Sequence, residues 1–227
     1  MKLKIGIAAL IIVFLVSMNV GKAMASPIEG STTGIFVNPI GPAGMITTGV
    51  GTNNFTWGSG SPSSLHYTGA AISTDFNTIF SFGTLNYYNG VIAAGTEANS
   101  VDLLVNLSLT TPAGINQNFG YLLSLINTLN TSDPAASADY VIFPTAFPTT
   151  SFSVGGINYT LAFAGFGSIS SGGFSITNEF HVLEGQTASA QLLGSITASQ
   201  VPEPSTLLLL GSGLLGFGFF ARKRMRG

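Results

Sequence analysis

The 227-residue chain has no cysteine. Disulfides, thiolate nucleophiles and cysteine-ligated zinc are excluded, and a folded exported domain must rest on core packing alone. Lysine and arginine are confined to the ends: Lys2, Lys4, Lys22, Arg222, Lys223, Arg224 and Arg226 are the full set. Between residues 26 and 221 there is no cation, and the same stretch holds all nine acids: Glu29, Asp75, Glu97, Asp102, Asp133, Asp139, Glu179, Glu184 and Glu203. Nine acids against no cation give that stretch a net charge of −9, whereas the whole chain carries −2. A body without cations cannot neutralise phosphates, so nucleic acid is no partner. Arginine capture of carboxylate or phosphate and lysine Schiff-base chemistry are excluded with it. Only two histidines, His66 and His181, are present.

The two ends are strongly patterned. Lys2 and Lys4 precede an apolar run, Ile5–Val16, and Ala23-Met24-Ala25 follows as a small-x-small site. That order predicts a secretory signal helix over residues 1–25, cut by signal peptidase after Ala25, with Ala23 and Ala25 as the residues read. An uncleaved signal anchor is the alternative. At the other end, Val201-Pro202-Glu203-Pro204-Ser205-Thr206 leads into the apolar run Leu207–Ala221 and then Arg222-Lys223-Arg224-Met225-Arg226. Fifteen residues make a helix of about 22 Å, short against a hydrocarbon core of about 30 Å, and span it only if lipid thins and basic residues snorkel. The cationic cluster should stay cytoplasmic, with the body of the chain across the membrane. Pro202 and Pro204 keep the preceding chain extended.

Pro202-Glu203-Pro204, the short apolar helix and the Arg222-Lys223-Arg224 cluster resemble the PEP-CTERM sorting signal of Gram-negative bacteria that make exopolysaccharide. The resemblance covers residues 201–227. It implies transient inner-membrane anchoring, cleavage near Pro-Glu-Pro by an exosortase, and delivery to the cell surface or extracellular matrix. A permanent anchor without processing is the bland alternative.

Residues 26–200 then form one extracytoplasmic domain, long enough to bury a sizeable core. Val101, Leu103, Val105, Leu107 and Leu109 alternate with polar residues, the period of a half-buried strand. Ile157, Tyr159, Leu161 and Phe163 repeat the pattern after Gly155-Gly156, a two-residue hairpin signal. Ala188, Ala190, Leu192, Gly194 and Ile196 mark one face of a last strand. Further strands are expected at 32–37, 64–72, 78–88, 118–129, 138–143 and 174–183. Residues 118–129 also fit helical spacing, but Asn127, Thr128 and Asn130 favour a strand. About nine strands without βαβ rhythm predict an all-β fold, an antiparallel β-sandwich of jelly-roll-like form.

A second resemblance runs through Gly51–Gly58, Ser64–Gly69, Phe82–Gly90, Gly95-Thr96, Val101–Leu103, Ala136–Val141 and Tyr159–Leu161. These segments resemble the choice-of-anchor K domain, a surface module found ahead of several anchoring tails. The family has no assigned biochemical activity, so the resemblance supports the layout and implies no mechanism.

No catalytic constellation stands out. Gly58-Ser59-Gly60 lacks the spacing of a nucleophile elbow. A Ser-His-Asp triad built on His66 or His181 depends on geometry that sequence hides. Asp75 with Asp102 is a formal carboxylate pair. Asp133 and Asp139 flank a loop that could offer oxygens to calcium, although no Asp-x-Asp-x-Asp-Gly pattern occurs and turn capping is the simpler role. No metal or cofactor is expected. Trp57, Tyr87 and Tyr88 are the candidates for stacking against a sugar; adjacent Tyr87 and Tyr88 must point to opposite faces. The leading expectation is a non-enzymatic structural protein of the cell surface or matrix. The alternatives are a module that binds exopolysaccharide and a secreted hydrolase.

Overall fold

The computed structural model describes residues 27–112, 114–143, 149–176, 178–200 and 211–212. The signal segment with Ala23 and Ala25, and the sorting residues Pro202, Glu203, Pro204, Arg222, Lys223 and Arg224, lie outside them. Among the described residues no helix is long and apolar enough to cross a membrane.

Among the described residues fourteen strands make up the fold. In chain order they are β1 (Ile28–Ile40), β2 (Thr47–Thr48), β3 (Asn54–Trp57), β4 (Ser63–Gly69), β5 (Ala71–Thr74), β6 (Ile79–Tyr88) and β7 (Ser100–Thr111). They continue as β8 (Ile115–Ile126), β9 (Asp139–Ile142), β10 (Thr150–Val154), β11 (Ile157–Gly167), β12 (Gly173–Ile176), β13 (Glu179–Val182) and β14 (Thr187–Gln200). Two seven-stranded antiparallel sheets result, β12-β13-β9-β8-β7-β1-β5 and β10-β11-β14-β6-β4-β3-β2. We call them sheet A and sheet B. They pack face to face as the expected β-sandwich, and the chain passes repeatedly between them.

Alternation builds most of this. Along β7 the inward set Val101, Leu103, Val105, Leu107 and Leu109 is buried and the residues between are partly exposed. Residues 115–126 form a strand of the same kind, paired along its length with β7. Helical spacing loses there because β7 pairs with the segment over residues 115–124, and β-structure then buries Phe119, Tyr121, Leu123 and Leu125 on one face. Gly155 and Gly156 take φ of 59° and 77°, the left-handed geometry of a tight two-residue hairpin joining Val154 to Ile157.

Two expected strands are divided. The stretch 64–72 belongs to both sheets: β4 ends at Gly69 in sheet B and β5 begins at Ala71 in sheet A. Thr32 of β1 makes this crossing. Its buried hydroxyl donates to the Phe82 carbonyl and accepts the Ala70 N–H at 2.9 Å, while the Tyr67 hydroxyl donates to the same Phe82 carbonyl at 2.7 Å. The Tyr67 ring fits because Gly83 has no side chain; a Cβ there would fall 2.4 Å from the ring. The stretch 174–183 is a hairpin, with β12 returning as β13.

One aromatic core spans both sheets. Phe55 stacks on Trp57 at 5.6 Å, Trp57 leans on Tyr87 at 5.7 Å, and Tyr87 meets Phe180 edge-on at 6.3 Å. Phe143 and Phe163 stack at 4.3 Å across the sandwich, with Tyr121 against both. Such rings supply large buried area and oriented contacts, which suits a domain with neither disulfides nor internal salt bridges to Lys or Arg.

Candidate functional site

The connection from β6 to β7 and the end of β8 run beside each other at one end of the sandwich. Asn99 locks them together: its N–H donates to Ile40 O at 2.7 Å, and its carbonyl accepts the Leu125 N–H at 2.8 Å. Between them lies an open groove of about 470 Å³, lined by Ile92, Ala94, Glu97, Asn99 and residues 125–130. That volume is in the range of small-molecule sites.

The groove floor is anchored from below. Asn127 accepts a hydrogen bond from Trp57 Nε1 at 3.0 Å and donates to Ala98 O at 3.1 Å. Thr128 donates its N–H and hydroxyl to Asp139 Oδ1 at 2.6 and 3.0 Å. With both of those side chains committed inward, the rim groups Asn99 and Asn130 are exposed and make no side-chain hydrogen bond within the described residues. Leu129, 87 % exposed, adds an apolar edge. Free amides, the Glu97 carboxylate and aliphatic patches can accept hydroxyls and CH faces of a polyol.

The groove continues into a ring ladder. Ile126 of the groove is the register partner of Tyr140, Tyr140 that of His181, and His181 that of Phe174. The His181 ring stacks 4.3 Å from Tyr140 and 4.6 Å from Phe174, and its Nε2 lies 2.7 Å from Glu179 Oε2. On β9 and β13 the neighbours Val141, Phe180 and Val182 fill the core, so alternation places the ladder on the outer side of sheet A.

The sequence candidates fare differently. Trp57 and Tyr87 are 0 % and 1 % exposed and belong to the aromatic core, so neither offers a face to a sugar. Tyr88 does point the other way, as adjacency requires, with its hydroxyl 3.0 Å from Ser61 Oγ. His66 sits on β4 beside Asn53 at 3.1 Å and Thr68 at 3.4 Å; His181 sits in the other sheet with Glu179. Neither has a serine and an aspartate as its partners. Asp75 and Asp102 are not brought together: Thr74 pairs with Ile28 and Asp102 with Val37, at opposite ends of β1. Nine residues of strand separate those points, about 30 Å at roughly 3.3 Å per residue. Asp133 caps its own turn, accepting the Ala135 N–H at 2.9 Å. Asp139 points inward instead, 3 % exposed, and burial raises its carboxyl above the usual range, offset in part by the Thr128 bonds.

Sequence reasoning passed over Asn99 and Asn130 as groove residues and Phe174 altogether, and weighed His181 as a possible triad member. The ladder became visible only once 174–183 was seen to fold back on itself. For Asn99 and Asn130 the one available signal was amides clustered at the ends of long strands.

No curated protein matches the chain. The resemblance of residues 32–198 to the choice-of-anchor K domain therefore stays a sequence expectation. The model of the PEP-CTERM protein-sorting motif matches residues 200–224, which supports export and exosortase-type sorting to the cell envelope or surface.

Proposed function

We propose that this chain is a non-enzymatic structural protein of the cell surface or extracellular matrix, cleaved by an exosortase near Pro202-Glu203-Pro204. The observation that carries the reading is the sorting motif at 200–224, which begins at the last residue of a closed, core-packed sandwich. Signal peptidase acts first, after Ala25, and the membrane holds the chain only through its apolar tail before cleavage. The separation of His66, His181, Asp75 and Asp102 speaks against the hydrolase alternative. Intact-mass analysis of protein recovered from the native cell surface tests the proposal. A form ending near residues 202–204 is expected, and a surface form that retains Leu207–Gly227 overturns it.

The groove favours one second reading, contact with exopolysaccharide. Asn99, Asn130 and Glu97 present polar atoms beside apolar ground, the mix that sugars require, and the ladder of Tyr140, His181 and Phe174 extends it. The full chain on a glycan array should retain neutral polysaccharide weakly, and Asn99→Ala with Asn130→Ala should weaken it roughly tenfold, at about 0.5–1.5 kcal/mol per hydrogen bond. Retention unchanged in the double variant removes the groove from the account.

A further inference from the structure

Beneath the groove is a second polar cluster that the reading above does not use. Tyr87 and Asn89 lie two residues apart at the end of β6, and both are buried. Asn89 is 0 % exposed and is stitched to two segments at once. Its Nδ2 donates to Val182 O at 2.9 Å and Ser137 O at 3.4 Å. Its N–H donates to Gln186 O at 3.0 Å, and its carbonyl accepts the Gly185 N–H at 2.9 Å. One segment carries Asp139, the register partner of Val182; the other carries Glu184.

Among the described residues three oxygens enclosed there have no hydrogen-bond partner: Asn89 Oδ1 and both carboxylate oxygens of Glu184. The Glu184 residue is only partly buried, yet its oxygens are hidden from solvent. The Gly185 N–H lies near enough to favour the charged form, but its hydrogen bond goes to Asn89 O. Asp139 brings a second carboxylate, whose two hydrogen bonds both fall on Oδ1. The acids feel each other: burial and then the Asp139 charge raise the Glu184 carboxyl, and both charges raise Tyr87 after burial itself. An enclosed carboxylate without a donor, such as that of Glu184, is costly unless something positive joins it. No lysine or arginine exists between residues 26 and 221 to do so.

We propose that Asp139, Glu184 and Asn89 form a binding site for a divalent cation of the calcium class, which clamps the 127–138 loop and the 183–186 turn to the end of β6. Hard oxygen donors only, two carboxylates and one amide carbonyl, match calcium, with water completing its shell. The sequence offered Asp139 to calcium together with Asp133; Asn89 and Glu184 could not be joined to it because the donors come from three segments, none with ligand spacing. It stands independently of what the groove binds.

The test uses the full chain stripped with EDTA, and calcium chloride alone as the probe. Calcium at about 1 mM should raise Tm by several degrees, since extracellular modules bind it with Kd of roughly 10⁻⁴–10⁻³ M. Terbium should bind in its place and luminesce on excitation of the neighbouring Tyr87. Glu184→Gln, which keeps the size of the side chain, should abolish both signals, as should Asp139→Asn. Asp133→Asn, outside the site, should leave both intact. Equal Tm in calcium and EDTA overturns the proposal, as does a calcium or terbium response that survives Glu184→Gln.

Discussion

Above pH 10 the sandwich should unfold in one cooperative step, before pH 12, driven by tyrosine alone. Burial pushes Tyr67 up to about 12, with the Thr32 hydrogen bond opposing part of the shift. Tyr87 is raised further by burial and by the Asp139 and Glu184 charges, and Tyr121 is raised by burial and then by Tyr67. Burial raises Tyr159 as well. In the unfolded chain these phenols titrate near 10. Between 10 and about 12 the native state therefore holds protons that the unfolded state has released, and stability falls as pH rises. Each such group contributes a slope of about 1.4 kcal/mol per pH unit, so Tyr67, Tyr87 and Tyr121 together give about 4. Two pH units of that slope rival the whole stability of an ordinary domain, about 5–15 kcal/mol. With no lysine, arginine or cysteine in the body, tyrosine is the only kind of side chain there that titrates in that window. Tyrosinate absorbance and far-UV circular dichroism, followed together, should change at the same pH. A β signal that persists beyond pH 12 would refute this.

Replacing Trp57 with alanine should be the most damaging single substitution. The ring is fully buried between Phe55 and Tyr87, and its Nε1 holds Asn127 under the groove. Loss of a core tryptophan costs about 3–5 kcal/mol through transfer and cavity terms. At about 2–4 °C per kcal/mol for a domain of this size, Tm should fall by roughly 10 °C. Trp57→Phe should recover most of the loss, because it refills the cavity and leaves only Asn127 Oδ1 without its donor. Calorimetry on the two variants separates packing from hydrogen bonding; equal losses would show that the bond to Asn127 dominates.

What could be read from the chain alone follows from where the physics is local. The run Val101–Leu109 declares itself as a strand because alternate burial is written residue by residue. Gly155-Gly156 declares a turn because only glycine takes two successive positive φ values without strain. The break at Ala70 has no such mark: Leu65, Tyr67 and Ile72 are all buried, yet Thr32, thirty-eight positions upstream of Ala70, decides where the chain leaves one sheet for the other. β3 was hidden for another reason. Asn54–Trp57 sits among Gly, Asn and Thr that suit loops, and it becomes a strand because β4 pairs with it. Trp57 and Tyr87 stood as candidates for stacking against a sugar; the second sheet, which no local pattern reveals, makes them core. The groove and the acid cluster depend wholly on such distant juxtapositions.

The position of β14 sets the working distance of the processing step. The strand is held by β11 on one side and β6 on the other, and its pairing runs to Gln200. Only six residues, 201–206, then precede the apolar run at Leu207. Even fully stretched they reach no more than about 20 Å, at roughly 3.3–3.6 Å each. No slack can be drawn from β14 without tearing a strand out of the middle of a sheet. An exosortase that cuts near Pro202-Glu203-Pro204 must therefore work with a folded wall at its entrance, and the room it leaves there limits which cargo can be processed.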